Sequence, residues 1–213
     1  MICRLLTTDA VAEINSTRPG DLPGPFPGPV NVPTEDIHDA VFDIVDVKGV
    51  GGSIKRAPDS GTATYINQNR YLLRFIRYEE YLNQFRLSPK LDWSRGMSRP
   101  DFIVYTPENN SHFIIHELSE GSIKNKRQKA VLQILNTLRF FHRIPSIRVF
   151  IDTFRSRQCF ISADGCPEVS SPMGMGDGFM AVYASLPDPL PIHNQSIERM
   201  GFLAYETNVV DIK

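Results

Sequence analysis

Two short apolar runs and the helical pattern behind them constrain this chain more than anything else in it. Asp101–Thr106 (DFIVYT) and His112–Leu118 (HFIIHEL) are rich in β-branched and aromatic residues. Between them stand Pro107, Glu108, Asn109, Asn110 and Ser111. Proline presets φ, and asparagine and serine side chains bond their own backbone, so the two runs are expected to fold back as an antiparallel hairpin. A helical pattern follows from about Ile123 to His142. Its buried stripe is Val131, Ile134, Leu135, Leu138 and Phe141, and Pro145 closes it. An apolar hairpin and an amphipathic helix bury their faces by packing in layers, which predicts an α/β fold.

The rest of the chain is read around this unit. Its 213 residues fit one domain with decoration. Residues 1–60 form a Pro/Gly-rich N-terminal arm and a short helix packing on the core. Pro19, Pro23, Pro25, Pro27, Pro29 and Pro33 exclude a helix or a central strand from the arm. Thr34 is the expected N-cap of that helix, with Ile37, Val41 and Ile44 as its stripe. Gly49–Gly52 end it; without a following Gly-Lys-Ser/Thr this run is not a phosphate loop. Residues 61–165 hold the core, and residues 166–213 are a C-terminal extension completing the same domain. Asn67–Phe85 reads as a helix with Leu72, Phe75, Ile76 and Leu82 on one face. Pro89–Pro100, with Trp93, is irregular. Ile147, Val149 and Ile151 alternate as in a strand, and Cys159–Ala163 and Phe179–Leu186 are further strands. Val169–Asp177 is a loop, and Ser196–Asn208 a short helix.

Composition excludes several function classes. A formal net charge of -1 removes the strongly basic surface that announces nucleic acid, so any such contact must be local. Cys3, Cys159 and Cys166 fit neither a disulfide framework nor a zinc spacing, and are expected to be reduced thiols in a cytoplasmic protein. Asp9 and Glu13 interrupt any leader-like apolar run, and no stretch of about 18 apolar residues spans a membrane.

Chemistry concentrates at the mouth of the hairpin. Asp101 opens the first strand, and Glu117 stands near the end of the second. Antiparallel pairing brings those two positions together. Alternation puts Ile115, Glu117 and Ser119 on one face, and Ile114, His116 and Leu118 on the other. Two neighbouring carboxylates repel unless a cation lies between them. Mg²⁺ prefers one or two carboxylates with water and phosphate oxygens, and that combination suits phosphodiester hydrolysis. Glu79 falls within the apolar stripe of the preceding helix, where a lone carboxylate is costly unless paired. Each acid also has a plainer reading. Asp101 after Pro100 can end a turn, Glu117 can face water beside Glu120, and Glu79 can meet an arginine such as Arg139.

Helix, strand, strand, helix, strand, with Pro100-Asp101 leading one strand and Glu117-Leu118-Ser119 on the next, resembles the PD-(D/E)XK nuclease superfamily over roughly residues 67–151. The resemblance implies a restriction-endonuclease-like core: helix, β-hairpin, helix and strand around a central mixed sheet flanked by helices. It implies Glu79, Asp101 and Glu117 as ligands of Mg²⁺ (or Mn²⁺), and cleavage of nucleic acid, DNA in preference to RNA. It also implies a homodimer. Ser119 stands where the family's lysine is expected. Some members supply that lysine from the following helix, and here Lys124 and Gln128 share the register of Val131, Leu135 and Leu138. Asp101, Glu117, Lys124 and Gln128 are therefore the expected catalytic residues, with Lys126 as second choice to Lys124. The basic cluster Lys124, Lys126, Arg127 and Lys129 is expected to hold phosphate backbone. The alternative from another class is a domain of this shape that has lost catalysis and binds protein or nucleic acid.

Overall fold

The computed structural model describes residues 1–16, 29–47, 51–56, 61–85, 99–119, 123–163 and 189–213, with the side chains of 123–126 outside the description. The hairpin is its centre. β6 (Phe102–Tyr105) pairs with β7 (His112–Ser119), Phe102 opposite His116 and Ile103 opposite Ile115. All eight residues of β7 are buried. A strand buried on both faces belongs in the middle of a sheet. Among the described residues the sheet has seven strands, in the order β1 (Thr34–Ile37), β5 (Leu73–Arg77), β6, β7, β8 (Ser156–Ala163), β10 (Leu203–Glu206), β9 (Leu190–Ile192). It is mixed: β7, β8 and β10 run parallel and the remaining pairs antiparallel.

Helices cover one face. α4 (Ile123–Arg143) and α5 (Pro145–Asp152) carry the chain from β7 to β8 and bury Ile134, Leu138, Phe141, Ile147 and Ile151 against Ile103, Phe113 and Ile115. α1 (Ile2–Thr7) and α2 (Asp9–Ser16) join this layer. Their Ile2, Leu6, Ala10 and Ile14, spaced by four, are fully buried. The other face is covered by a second sheet, of four strands among the described residues: β11 (Val209–Asp211), β4 (Ala63–Ile66), β2 (Val41–Val47), β3 (Gly51–Lys55). Phe42, Ile44 and Tyr65 of that sheet pack on Phe75, Phe102 and Val104 of the first. Among the described residues no helix is long and apolar enough to cross a membrane.

Several local expectations are overturned. The stretch 67–85 is not one helix: Leu73–Arg77 is a strand, and only α3 (Tyr78–Asn83) is helical. Pairing with β1 and β6 on both sides outweighs the three-and-four spacing of its apolar residues. The segment after Thr34 is extended, giving an edge strand of the main sheet and the central β2. Hence Thr34–Ile37, Val41–Val47 and Gly51–Lys55 are strands of the two sheets, where a short helix ended by glycines was expected. Ile147 and Val149 do not alternate in a strand: Pro145 starts a helix, where its missing N–H costs nothing, and Val149 is exposed. Of 196–208, only α6 (Gln195–Arg199) is helical, capped by the Asn194 side chain, which accepts from the Ser196 and Ile197 amides. The Pro19–Pro27 arm, Trp93, Cys166, the 169–177 loop and the 179–186 strand lie outside the described residues.

Candidate functional site

The helix-facing side of the hairpin opens into a cleft of about 280 Å³ lined by Asp46, Glu79, Arg99, Asp101, Glu117, Ser119, Lys129 and Gln133, among others. Each element delivers its residue for a local reason. The β6–β7 register, continued by one position, sets Asp101 opposite Glu117. The Asp101 carboxylate accepts the Leu118 amide at 2.7 Å, so it is tied to the neighbour of its partner acid. The Tyr78 amide donates to the Asp101 carbonyl at 2.9 Å. That bond begins α3 beside Asp101 and places Glu79 in the helix's first turn, where negative charge is favoured. Glu79 is therefore not buried in an apolar stripe. Its side chain is 37% exposed and stands 3.9 Å from the Arg99 guanidinium. Arg99 also hydrogen-bonds Asn83. The pairing partner is thus Arg99 rather than Arg139, whose guanidinium lies 3.5 Å from Asn136.

Electrostatics follow from burial. Asp101 and Glu117 are each 7% exposed. Burial, reinforced by the charges of Asp46 and Glu79 and opposed by the Leu118 amide, pushes the Asp101 carboxyl up to about 7. Burial and then the charges of Asp101 and Glu79 push Glu117 well above the usual carboxylate range. Lys129 and a hydrogen bond from Gln133 pull it the other way. Among the described residues, the Glu117 Oε2 atom has no hydrogen-bond partner although it is buried. Native proteins seldom leave a buried polar atom so, and a buried acidic oxygen calls for a proton or a cation.

α4 meets the cleft in a different register from the expected one. Lys129, Ala130 and Gln133 line it, whereas Gln128 is exposed and does not. Gln133 donates to the Arg99 carbonyl at 2.9 Å, which fixes its amide between the strand entry and Glu117. Arg127 pairs at 3.4 Å with the buried Glu206 at the end of β10. The side chains of Lys124 and Lys126 lie outside the described residues. Ser119 lines the cleft and is buried. Asp46 was not singled out in the sequence. Its only signal is a position on β2 opposite Gly52, and the second sheet that carries it is not predicted by local pattern.

The donor set is all oxygen, which suits Mg²⁺ or Mn²⁺ rather than softer ions. Among the described residues no three acid, imidazole or thiol side chains are gathered closely enough to cage an ion as they stand. Mg²⁺ does not ask for such a cage: one or two carboxylates suffice, with water and substrate phosphate completing its shell. The orphaned Glu117 oxygen beside Asp101 meets that smaller requirement. The hairpin's opposite face carries a different polar chain: Tyr65 to His116 at 2.8 Å, His116 to Ser162 at 2.8 Å, and Ser162 to the Thr207 carbonyl. Because the Ser162 hydroxyl donates to that carbonyl, it accepts from His116 Nε2, and Nδ1 accepts from Tyr65. His116 is thus a neutral tie between the two sheets. No protein-family model, no curated protein and no solved structure matches the chain.

Proposed function

We propose that this protein is a divalent-cation-dependent phosphodiesterase acting on nucleic acid, built on a restriction-endonuclease-like core. The observation that carries the reading is the buried, unpartnered Glu117 oxygen next to Asp101 at the hairpin mouth. Asp101 and Glu117 would hold the ion, with Glu79 at the rim. Bound Mg²⁺ or Mn²⁺ polarises a phosphoryl oxygen and lowers the pKa of an attacking water. The chain's own groups do the rest. The Leu118 amide holds Asp101 in place, and Gln133 holds Glu117. Lys129 brings an ammonium group to the same cleft, where it can meet a phosphate oxygen. The preference for DNA over RNA rests on the family resemblance alone.

A second reading is supported by one specific observation. Ser119 is buried at the position of the motif lysine and offers no positive charge. A domain that binds nucleic acid or protein without cutting it fits that residue. Two measurements decide between the readings: calorimetric titration with Mn²⁺, and nicking of supercoiled plasmid by wild type, Asp101→Asn and Glu117→Gln. Cutting that needs Mn²⁺ and disappears in both variants supports the phosphodiesterase. Cutting that survives Asp101→Asn removes this mechanism, and Mn²⁺ binding without cleavage of any DNA or RNA selects the second reading.

A further inference from the structure

The four-stranded sheet does more than cover a face of the core. Its β2–β3 hairpin reaches the acid cleft. Asp46, near the end of β2, lines that cleft with Asp101, Glu79 and Glu117. The approach is close and depends on small residues. A Cβ on Gly52, opposite Asp46 in the ladder, would lie 2.4 Å from the Phe102 ring. A Cβ on Gly51 would lie 3.4 Å from the Glu79 carboxylate. Phe102 is the residue after Asp101, so the hairpin is seated directly over the entry to β6. Four carboxylates line this cleft against two cationic side chains, Arg99 and Lys129, an excess of negative charge that a divalent cation would offset. Glu117, which lines the same cleft and is 7% exposed, has a buried carboxylate oxygen without a hydrogen-bond partner, a second observation that points to a proton or cation there.

We infer that Asp46 belongs to the cation site, acting on the ion through its water shell and its charge, so that divalent-cation binding links the second sheet to the core. The inference rests on the proposed cation site at Asp101 and Glu117, and extends it to an element outside the motif-bearing core. Asp46 is a positioning residue here: it orders the waters of an ion that the hairpin acids hold. Loss of such an outer partner weakens metal affinity by roughly 10- to 100-fold.

The test is calorimetric titration of the whole protein with Mn²⁺, comparing wild type, Asp46→Asn, Asp46→Glu, Asp101→Asn and Asp211→Asn. Asp211 is an exposed acid of the same sheet that does not line the cleft, and serves as the charge control. Asp46→Asn is expected to weaken Mn²⁺ by about tenfold or more with stoichiometry unchanged. Asp46→Glu, which keeps the charge, should restore most of that loss, and Asp211→Asn should bind as wild type does. Hydrogen exchange gives a second readout: Mn²⁺ should slow exchange in residues 41–47 and 51–55 of wild type, and not of Asp46→Asn. Asp46→Asn within twofold of wild type, while Asp101→Asn abolishes binding, overturns the inference and leaves the cation site standing. A wild type that binds no Mn²⁺ at millimolar concentration overturns both.

Discussion

The carboxylate of Asp101 accepts the main-chain amide of Leu118 at 2.7 Å, so the acid that opens β6 is fastened beside the acid that ends the hairpin's other arm. This one bond gives Asp101 a structural duty as well as a chemical one. The two are separable. Asparagine keeps an acceptor oxygen at that place, whereas alanine leaves a buried N–H unpaired, at a cost of about 1–3 kcal/mol. Asp101→Asn should therefore melt close to wild type. Asp101→Ala should melt several degrees lower, at about 2–4 °C per kcal/mol for a chain of this size. Both should lose Mn²⁺ binding. Equal melting temperatures for the two variants would show that the bond to Leu118 contributes nothing.

Two buried groups give the metal-free protein opposite responses to acid. The Asp101 carboxyl is raised to about 7 in the folded chain, so the folded state holds an extra proton below that value. Its contribution to stability is full below the unfolded value near 4 and is lost as pH rises through 7. Glu117 is shifted in the same direction. Burial holds the His116 imidazole down at about 3, so there the unfolded chain holds the extra proton. Its contribution is full above about 6.5 and is lost as pH falls toward 3. Between about pH 4 and 6.5 the Asp101 and Glu117 limbs together outweigh the single His116 limb, so the melting temperature of wild type should rise as pH drops. Asp101→Asn leaves Glu117 alone against His116, so its melting temperature should rise less than that of wild type, or stay level, as pH drops through that window. Superimposable profiles by calorimetry, without metal, would refute this pairing of effects. Adding Mn²⁺ at pH 7 should release protons, because a ligand carboxyl must ionise to bind it.

The part of the fold that was legible in the sequence is the part governed by local signals. The hairpin, its turn and the long helix each carry their own pattern, and Glu117 and Ser119 share a face because strand period is two. What was missed depends on partners far along the chain. Leu73–Arg77 contains apolar residues at both helical and strand spacings, and only pairing with β1 and β6 selects the strand. The second sheet draws β2, β3, β4 and β11 from both ends of the chain, so nothing local points to Asp46 as a cleft residue. The helix itself was found, but not its rotation. Lys124 and Gln128 share a stripe with Leu135 and Leu138, yet Lys129 and Gln133 lie a step around the cylinder and face Glu117. A wide apolar face leaves the orientation of its polar end undetermined by periodicity.

That rotation makes a direct prediction about which helix residues matter. Lys129 brings positive charge to the cleft and lowers the proton affinity of Glu117. Removing it should not weaken cation binding, since a competing positive charge is gone, but should remove charge stabilisation from the phosphate. Lys129→Ala is expected to bind Mn²⁺ as tightly as wild type or tighter, and to cut plasmid about 10²-fold more slowly. Gln128→Ala, at an exposed position, should change neither quantity. A Gln128→Ala variant as impaired as Lys129→Ala would restore the register expected from the sequence.

The contact between Gly52 and Phe102 gives the last prediction, because it separates the seating of the second sheet from the chemistry beneath it. A methyl group at residue 52 would lie 2.4 Å from the Phe102 ring, well inside van der Waals contact. Phe102 is fully buried among Phe75 and other core side chains and has nowhere to move, so β3 must lift instead. Overpacking of this kind costs about 1–3 kcal/mol. Gly52→Ala should therefore lower the melting temperature by several degrees, at about 2–4 °C per kcal/mol. It should also raise hydrogen exchange in β2 and β3 while leaving β6 and β7 protected, since those strands lie in the middle of the seven-stranded sheet. Uniform loss of protection across both sheets would mean that they unfold as one unit and that the hairpin has no separate seat to lose.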